Sequence, residues 1–194
     1  MSYRESITAE EIEMMELAAF DGRVHVITKL DDEYYRAIEH LEMCRMIGFD
    51  TETKPVFQPN ARRHSTALLQ LSSDSDAFLF RLHLMGLPDE LASILASPSI
   101  TKIGAAVSDD IHGLQRYNNF TAARFMDLQR FGDKYGLKDK SVKKMAGIIL
   151  GVKVSKSQQL SNWEAEELSH AQCLYAATDA WICLKMYKKL LSTK

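Results

Sequence analysis

Cysteine, proline and glycine are all scarce in this chain, as are long apolar runs and any excess of one charge. Its 194 residues include three cysteines, four prolines and nine glycines. Cys44, Cys173 and Cys183 are odd in number, widely spaced and form no Cys-x-x-Cys, so they read as reduced, buried side chains rather than a disulfide or zinc framework. His40 and Cys44 lie four apart on an expected helix, but two isolated ligands make no metal site. No apolar run approaches the roughly 20 residues that span a bilayer. Met1-Ser-Tyr-Arg-Glu leads into acidic Thr8-Ala-Glu-Glu-Ile-Glu13, where a secretory leader needs a basic stretch and then an apolar one. These absences point to a cytoplasmic protein with no membrane partner. The 24 Lys and Arg face 26 Asp and Glu, for a net charge of −2, which argues against indiscriminate coating of nucleic acid and leaves only local phosphate binding. With 46% hydrophobic residues and no repeat or long linker, the expectation is one domain, 23–194, carrying a helical N-terminal appendage, 1–22.

What is present is a readable succession of strands and helices. Thr8 with Glu11 forms a capping-box pattern, and the helix that follows would place Ile12, Met15 and Ala19 on one face. Arg23 to Thr28 is short and β-branched and reads as a strand. Asp31 or Asp32 then caps a helix to about Glu42 whose Tyr35, Ile38 and Leu41 face the core. Met46 to Thr53 is the next strand. Thr66 to Leu71 and Ala77 to Leu82 form an antiparallel hairpin across Ser72-Ser-Asp-Ser-Asp76. Pro88 opens a helix through Leu95, Thr101 to Ala106 is a strand, Asp110 to Tyr117 a helix, and Arg124 to Leu128 a short strand. Helices over Ser141 to Leu150 and Ser169 to Leu191 complete a layered α/β arrangement.

Three segments carry chemistry. In Phe49-Asp50-Thr51-Glu52, side chains alternate, so Asp50 and Glu52 leave the same face of the strand about 7 Å apart. On an exposed edge the pair would be a solvated surface. The apolar neighbours Met46, Ile47 and Phe49 make the strand central instead, where two unneutralised carboxylates are costly unless a cation is bound. In Tyr175-Ala-Ala-Thr-Asp179, four-residue spacing stacks a phenol and a carboxylate on one face of a helix that is apolar nearly all round, hence buried. Between them, Lys102-Ile-Gly-Ala-Ala-Val-Ser-Asp109-Asp110 ends a strand in two acids whose default role is to cap the following helix.

In order, these segments resemble the three motifs of the DEDD superfamily of 3′-5′ exonucleases. Asp50 and Glu52 fit the first motif, Asp110 the second, and Tyr175 with Asp179 the third. Leu174 stands where the sibling subfamily carries histidine, so the tyrosine subfamily is the better match. Gly48-Phe-Asp-Thr-Glu-Thr53, Ala67-Leu-Leu-Gln-Leu71, Ser155-Lys-Ser157, Leu160-Ser-Asn-Trp-Glu164 and Tyr175-Ala-Ala-Thr-Asp-Ala-Trp181 further resemble stand-alone bacterial relatives of the Werner syndrome exonuclease domain.

The resemblance implies a ribonuclease-H-like fold, a mixed five-stranded sheet flanked by helices, with Arg23 to Thr28 as a candidate extra edge strand. It also implies hydrolysis of the terminal phosphodiester of nucleic acid, DNA favoured over RNA, to nucleoside 5′-monophosphates. Two divalent cations, Mg²⁺ or Mn²⁺, would be held by Asp50, Glu52, Asp110 and Asp179, and Tyr175 would orient the attacking water. Asp110 is chosen over Asp109 by its distance from Gly104. From Asp133 to Gln159, seven lysines stand against two aspartates, a patch that would face phosphates or be a solvated helix face; Lys156 lies in the family-like text. Arg62 and Arg63 are further phosphate candidates. Trp163 has two readings, a platform for a base or an anchor for its loop. The alternatives are an RNA-trimming enzyme similar to ribonuclease D, disfavoured because helical RNA-binding domains usually follow that nuclease, and a non-catalytic binding module.

Overall fold

The computed structural model describes residues 3–58 and 64–193. Among these, the strands form one sheet in the order β1-β4-β3-β2-β5-β6, where β1 is Arg23–Ile27, β2 Met46–Thr53, β3 Thr66–Ser72, β4 Asp76–Phe80, β5 Thr101–Gly104 and β6 Phe125–Asp127. β2, β3 and β4 run antiparallel in succession, while β1 joins β4, β5 joins β2 and β6 joins β5 in parallel. The expected five strands are thus present together with the extra edge strand β1. No described helix is long and apolar enough to cross a membrane.

Alternation in β2 decides what lies on each side. Ile47 and Phe49 point to one face, where α2 (Asp32–Glu42) and α4 (Asp89–Ala96) bury Tyr34, Ile38, Leu41, Leu91 and Leu95 against them. Gly48, Asp50 and Glu52 point to the other face. The 23-residue helix α8 (His170–Ser192) crosses it, with α7 (Val142–Leu150) alongside. A β-carbon on Gly48 would lie 2.0 Å from the Ala180 carbonyl oxygen, so glycine here lets the backbone of α8 touch the strand. That contact brings Asp179, the residue before Ala180, beside Asp50.

Three local expectations fail. Asp31 caps α2 by accepting from the amides of Glu33 and Tyr34, which sets a register of Tyr34, Ala37, Ile38 and Leu41 facing the core; Tyr35 stays exposed. The N-terminal helix is only the five residues Ala9–Glu13, α1, with the capping box intact. Met15 and Ala19 lie beyond it, because the chain there is extended against Lys153: the Ala18 amide donates to the Lys153 carbonyl and the Lys153 amide to Glu16. Tertiary pairing has overridden helical periodicity. The hairpin also differs at its end, since Leu82 belongs to the short helix α3 (Leu82–Met85) rather than to β4.

The segment before β1 is packed on the domain. Ile7 and Ile12 are buried over Gly147 of α7, Phe20 meets Trp181 edge to face at 5.8 Å, and the Phe20 amide donates to Thr178 Oγ1. His40 and Cys44 are structural, with His40 on Ser73 Oγ and the Cys44 thiol donating to the His40 carbonyl.

Gly48→Ala is expected to push α8 off the sheet. Overpacking of this kind costs about 1–3 kcal/mol, so the melting temperature should fall by roughly 3–10 °C. A thermal melt equal to that of the unmutated chain would contradict the close approach.

Candidate active site

The acidic cluster is assembled from the sheet and from α8. Asp50, Glu52 and Asp179 each offer a carboxylate oxygen within 4.8 Å of the others. Burial, with the negative charges of Asp179 and Asp110 added, holds the Asp50 carboxyl well above the usual carboxylate range. Burial is also the main cause at Glu52, pushed up to about 9, and every charge acting on it is negative: Asp50, Asp179 and Asp110. Asp179 is pushed up to about 6 by burial, partly offset by the Tyr175 hydroxyl and by the positive charge of Lys156.

Asp110 lies outside this trio. It stands in the first turn of α5 (Ser108–Gln115), half-buried, and its Oδ1 accepts a 2.5 Å hydrogen bond from Thr51 Oγ1. Burial raises its pKa despite that bond. Asp109, one residue earlier, is exposed. The start of α5 is tied to β6 by Asp127, whose carboxylate accepts from the amides of Ala106 and Gln129.

Tyr175 is 9% exposed, and its phenol is directed at Asp179, one helical turn on. Burial and the surrounding carboxylates push its pKa far above that of free tyrosine, so the hydroxyl keeps its proton at neutral pH. Trp163 lies beneath it, 0% exposed, with ring centroids 6.0 Å apart. This corrects the base-platform reading, since no base reaches a tryptophan so enclosed. Trp163 anchors its loop, which Arg81 also pins by donating to the carbonyls of Ala165 and Glu166.

Most lysines of the lysine-rich patch are ion-paired. Lys138 pairs with Glu5, Lys140 with Asp133, Lys143 and Lys153 with Glu13, and Lys144 with Asp139. Lys138, Lys143 and Lys153 thus tie the acidic N-terminal segment to the domain, while Lys140 and Lys144 pair within the patch. Lys156 is different, being exposed and close enough to Asp179 to attract its charge. Arg62 and Arg63 lie outside the described residues.

A cleft of about 770 Å³ opens beside Glu52 and Asp110, with Lys54, His64, His112 and Arg116 in its lining. Glu164 spans part of it, pairing with Lys54 at 3.3 Å and with His64 at 3.3 Å. None of these four basic residues stood out in the sequence, where they are spread over positions 54 to 116; only the fold gathers them. The carboxylates suit a hard divalent cation, because three half-buried oxygen donors lie within 4.8 Å of one another with mostly negative charge around them. Asp50, Glu52 and Asp179 are the residues placed to hold it.

The comparisons agree with this geometry. A family model described as 3′-5′ exonuclease matches residues 25–193. The chain is 32% identical over 177 residues to exonuclease 3′-5′ domain-containing protein 2 of Drosophila melanogaster, covering 87% of this chain and 30% of that protein. It is 32% identical over 152 residues to the mouse bifunctional 3′-5′ exonuclease/ATP-dependent helicase WRN, covering 75% of this chain and 11% of the relative. It therefore spans less than a third of these curated relatives. Among solved structures, Escherichia coli RNase D superimposes with a TM-score of 0.76 at 27% identity, over 87% of this chain and 44% of that one. Motifs, fold and matched family converge: the chain belongs to the 3′-5′ exonucleases, of the DEDD type with tyrosine in the third motif.

Proposed function

We propose that the chain hydrolyses the terminal phosphodiester at a 3′ end, with DNA as the preferred substrate. The observation that carries this reading is the half-buried trio Asp50, Glu52 and Asp179 beside Tyr175, in a member of an exonuclease family. Two divalent cations, Mg²⁺ or Mn²⁺, would supply Lewis acidity for the scissile phosphate and lower the pKa of the attacking water.

The chain's own residues do the positioning. Asp50, Glu52 and Asp179 would hold the cations between them, and Asp110, anchored on Thr51 beside them, would assist. Tyr175 keeps its proton, so its hydroxyl orients the water by hydrogen bonding and does not act as the base. The water oxygen bonds to phosphorus, the bond to the 3′ oxygen of the preceding nucleotide breaks, and that oxygen leaves protonated. Lys156 is placed to meet a phosphate near Asp179.

DNA is ranked first on the resemblance of Gly48 to Thr53, Leu160 to Glu164 and Tyr175 to Trp181 to the Werner syndrome exonuclease domain. The second reading, RNA trimming, is favoured by the likeness to RNase D, an exoribonuclease involved in structured RNA processing.

A gel assay on 5′-labelled single-stranded DNA, 3′-recessed DNA and matching RNA tests both. The expected result is a ladder shortening from the 3′ end in Mg²⁺ or Mn²⁺, absent in EDTA and in Asp50→Asn. A stronger RNA ladder would select the second reading, and none on any substrate from folded protein would refute the activity. Among variants, Asp179→Ala should lower kcat about 10³-fold or more and Tyr175→Phe less. Equal, small losses in both would remove these assignments. Asp109→Asn should leave cleavage intact while Asp110→Asn impairs it; the reverse result would shift the second motif by one residue.

A further inference from the structure

The central strand β3 is buried along its whole length, and one side chain in it breaks the apolar pattern. Gln70, between Leu69 and Leu71, is 0% exposed, and neither Oε1 nor Nε2 has a hydrogen-bond partner among the described residues. Ser72 Oγ, two residues on and therefore on the same face, is buried and unpartnered as well. Enclosing an amide without partners is destabilising, and a leucine or methionine would fill the same space without that penalty. The position calls for an explanation in function.

Register supplies one. Gln70 lies opposite Asp50 on β2 and opposite Leu79 on β4. Directly paired residues of antiparallel strands point to one face, with β-carbons about 5 Å apart. Gln70 therefore shares the α8-covered face with Asp50, and Asp50 is its one polar cross-strand neighbour. The other charges acting on Asp50 are the carboxylates of Asp179 and Asp110. An uncharged donor beside Asp50 could fix its rotamer without competing with a cation for the site.

We propose that Gln70 is a positioning residue for Asp50: with a cation in place, its Nε2–H donates to one Asp50 oxygen and so presents the other to the cation. The inference rests on the reading of Asp50, Glu52 and Asp179 as a divalent-cation site. Partners of this kind around a metal ligand typically govern affinity by about 10- to 100-fold.

The test is a thermal melt of the whole chain and of Gln70→Met, first in EDTA and then across a Mn²⁺ titration, with kcat and KM measured alongside. Methionine conserves volume and removes the amide. Gln70→Met should melt at or above the temperature of the unmutated chain in EDTA, while the Mn²⁺ concentration giving half of the cation-induced rise should increase about 10-fold. kcat should fall at fixed Mn²⁺ with KM for the nucleic acid unchanged. A midpoint within about twofold of the unmutated chain would overturn the role. So would a lower melt in EDTA with an unchanged midpoint, which marks simple packing. Should methionine fail to fold, Gln70→Leu is measured in the same way and judged by the same midpoint. If Mn²⁺ does not raise the melting temperature of the unmutated chain, the cation-site reading itself fails, and the role of Gln70 falls with it; a response in the unmutated chain with an identical response in the variant refutes Gln70 alone.

Discussion

The carbonyl oxygen of Ala180 lies where a side chain on Gly48 would have to be, and this backbone contact between α8 and β2 organises the molecule. A strand alone can set Asp50 and Glu52 on one face, and a helix alone can stack Tyr175 over Asp179. Only their close approach turns the two pairs into one cluster. The same approach partly shields the cluster from water, so three carboxylates are held near one another with little to neutralise them. The fold tolerates this locally unfavourable arrangement because the remaining interface is extensively apolar: β3, α7 and the N-terminal segment bury nearly every side of α8.

Much of this was legible in the sequence, for reasons specific to each element. Two-residue alternation in Met46 to Thr53 gave the face of Asp50 and Glu52, and the all-round apolar character of Leu174 to Trp181 gave the burial of Tyr175 and Asp179. What was not legible depended on distant partners. Tyr34 rather than Tyr35 enters the core because the Asp31 cap fixes the register of α2. The helix expected through Ala19 gives way to pairing with Lys153, some 130 residues away in the chain. Trp163 could have served a base or its own loop, and only its enclosure beneath Tyr175 decides. Gln70 was visible as one polar residue among leucines, a signal that acquires meaning only when the strand register sets it against Asp50.

Charge is distributed with the same division of labour. Of the seven lysines between residues 133 and 159, three pair with Glu5 and Glu13 of the N-terminal segment and two with Asp133 and Asp139 of the same stretch. Lys156 stands nearer the carboxylates, and Lys54, His64 and Arg116 line the neighbouring cleft. A chain with a net charge of −2 can thus keep positive charge at its cleft without a surface that attracts nucleic acid indiscriminately.

The central claim is that the carboxylate cluster is under electrostatic and desolvation strain that a cation relieves. Glu52 at about 9 and Asp179 at about 6 bind protons more tightly in the folded chain than in the unfolded one. Their raised values mean that folding stability is lost as pH rises, from about pH 4 up to about pH 9. The most direct measurement is the melting temperature in EDTA at pH 5.5 and pH 8, repeated with saturating Mg²⁺ or Mn²⁺ and with Asp50→Asn. The account requires a lower melt at pH 8 in EDTA, a recovery of at least about 4 °C on adding the cation, and a smaller pH effect in Asp50→Asn. A melting temperature that is the same at both pH values and unmoved by either cation would contradict it.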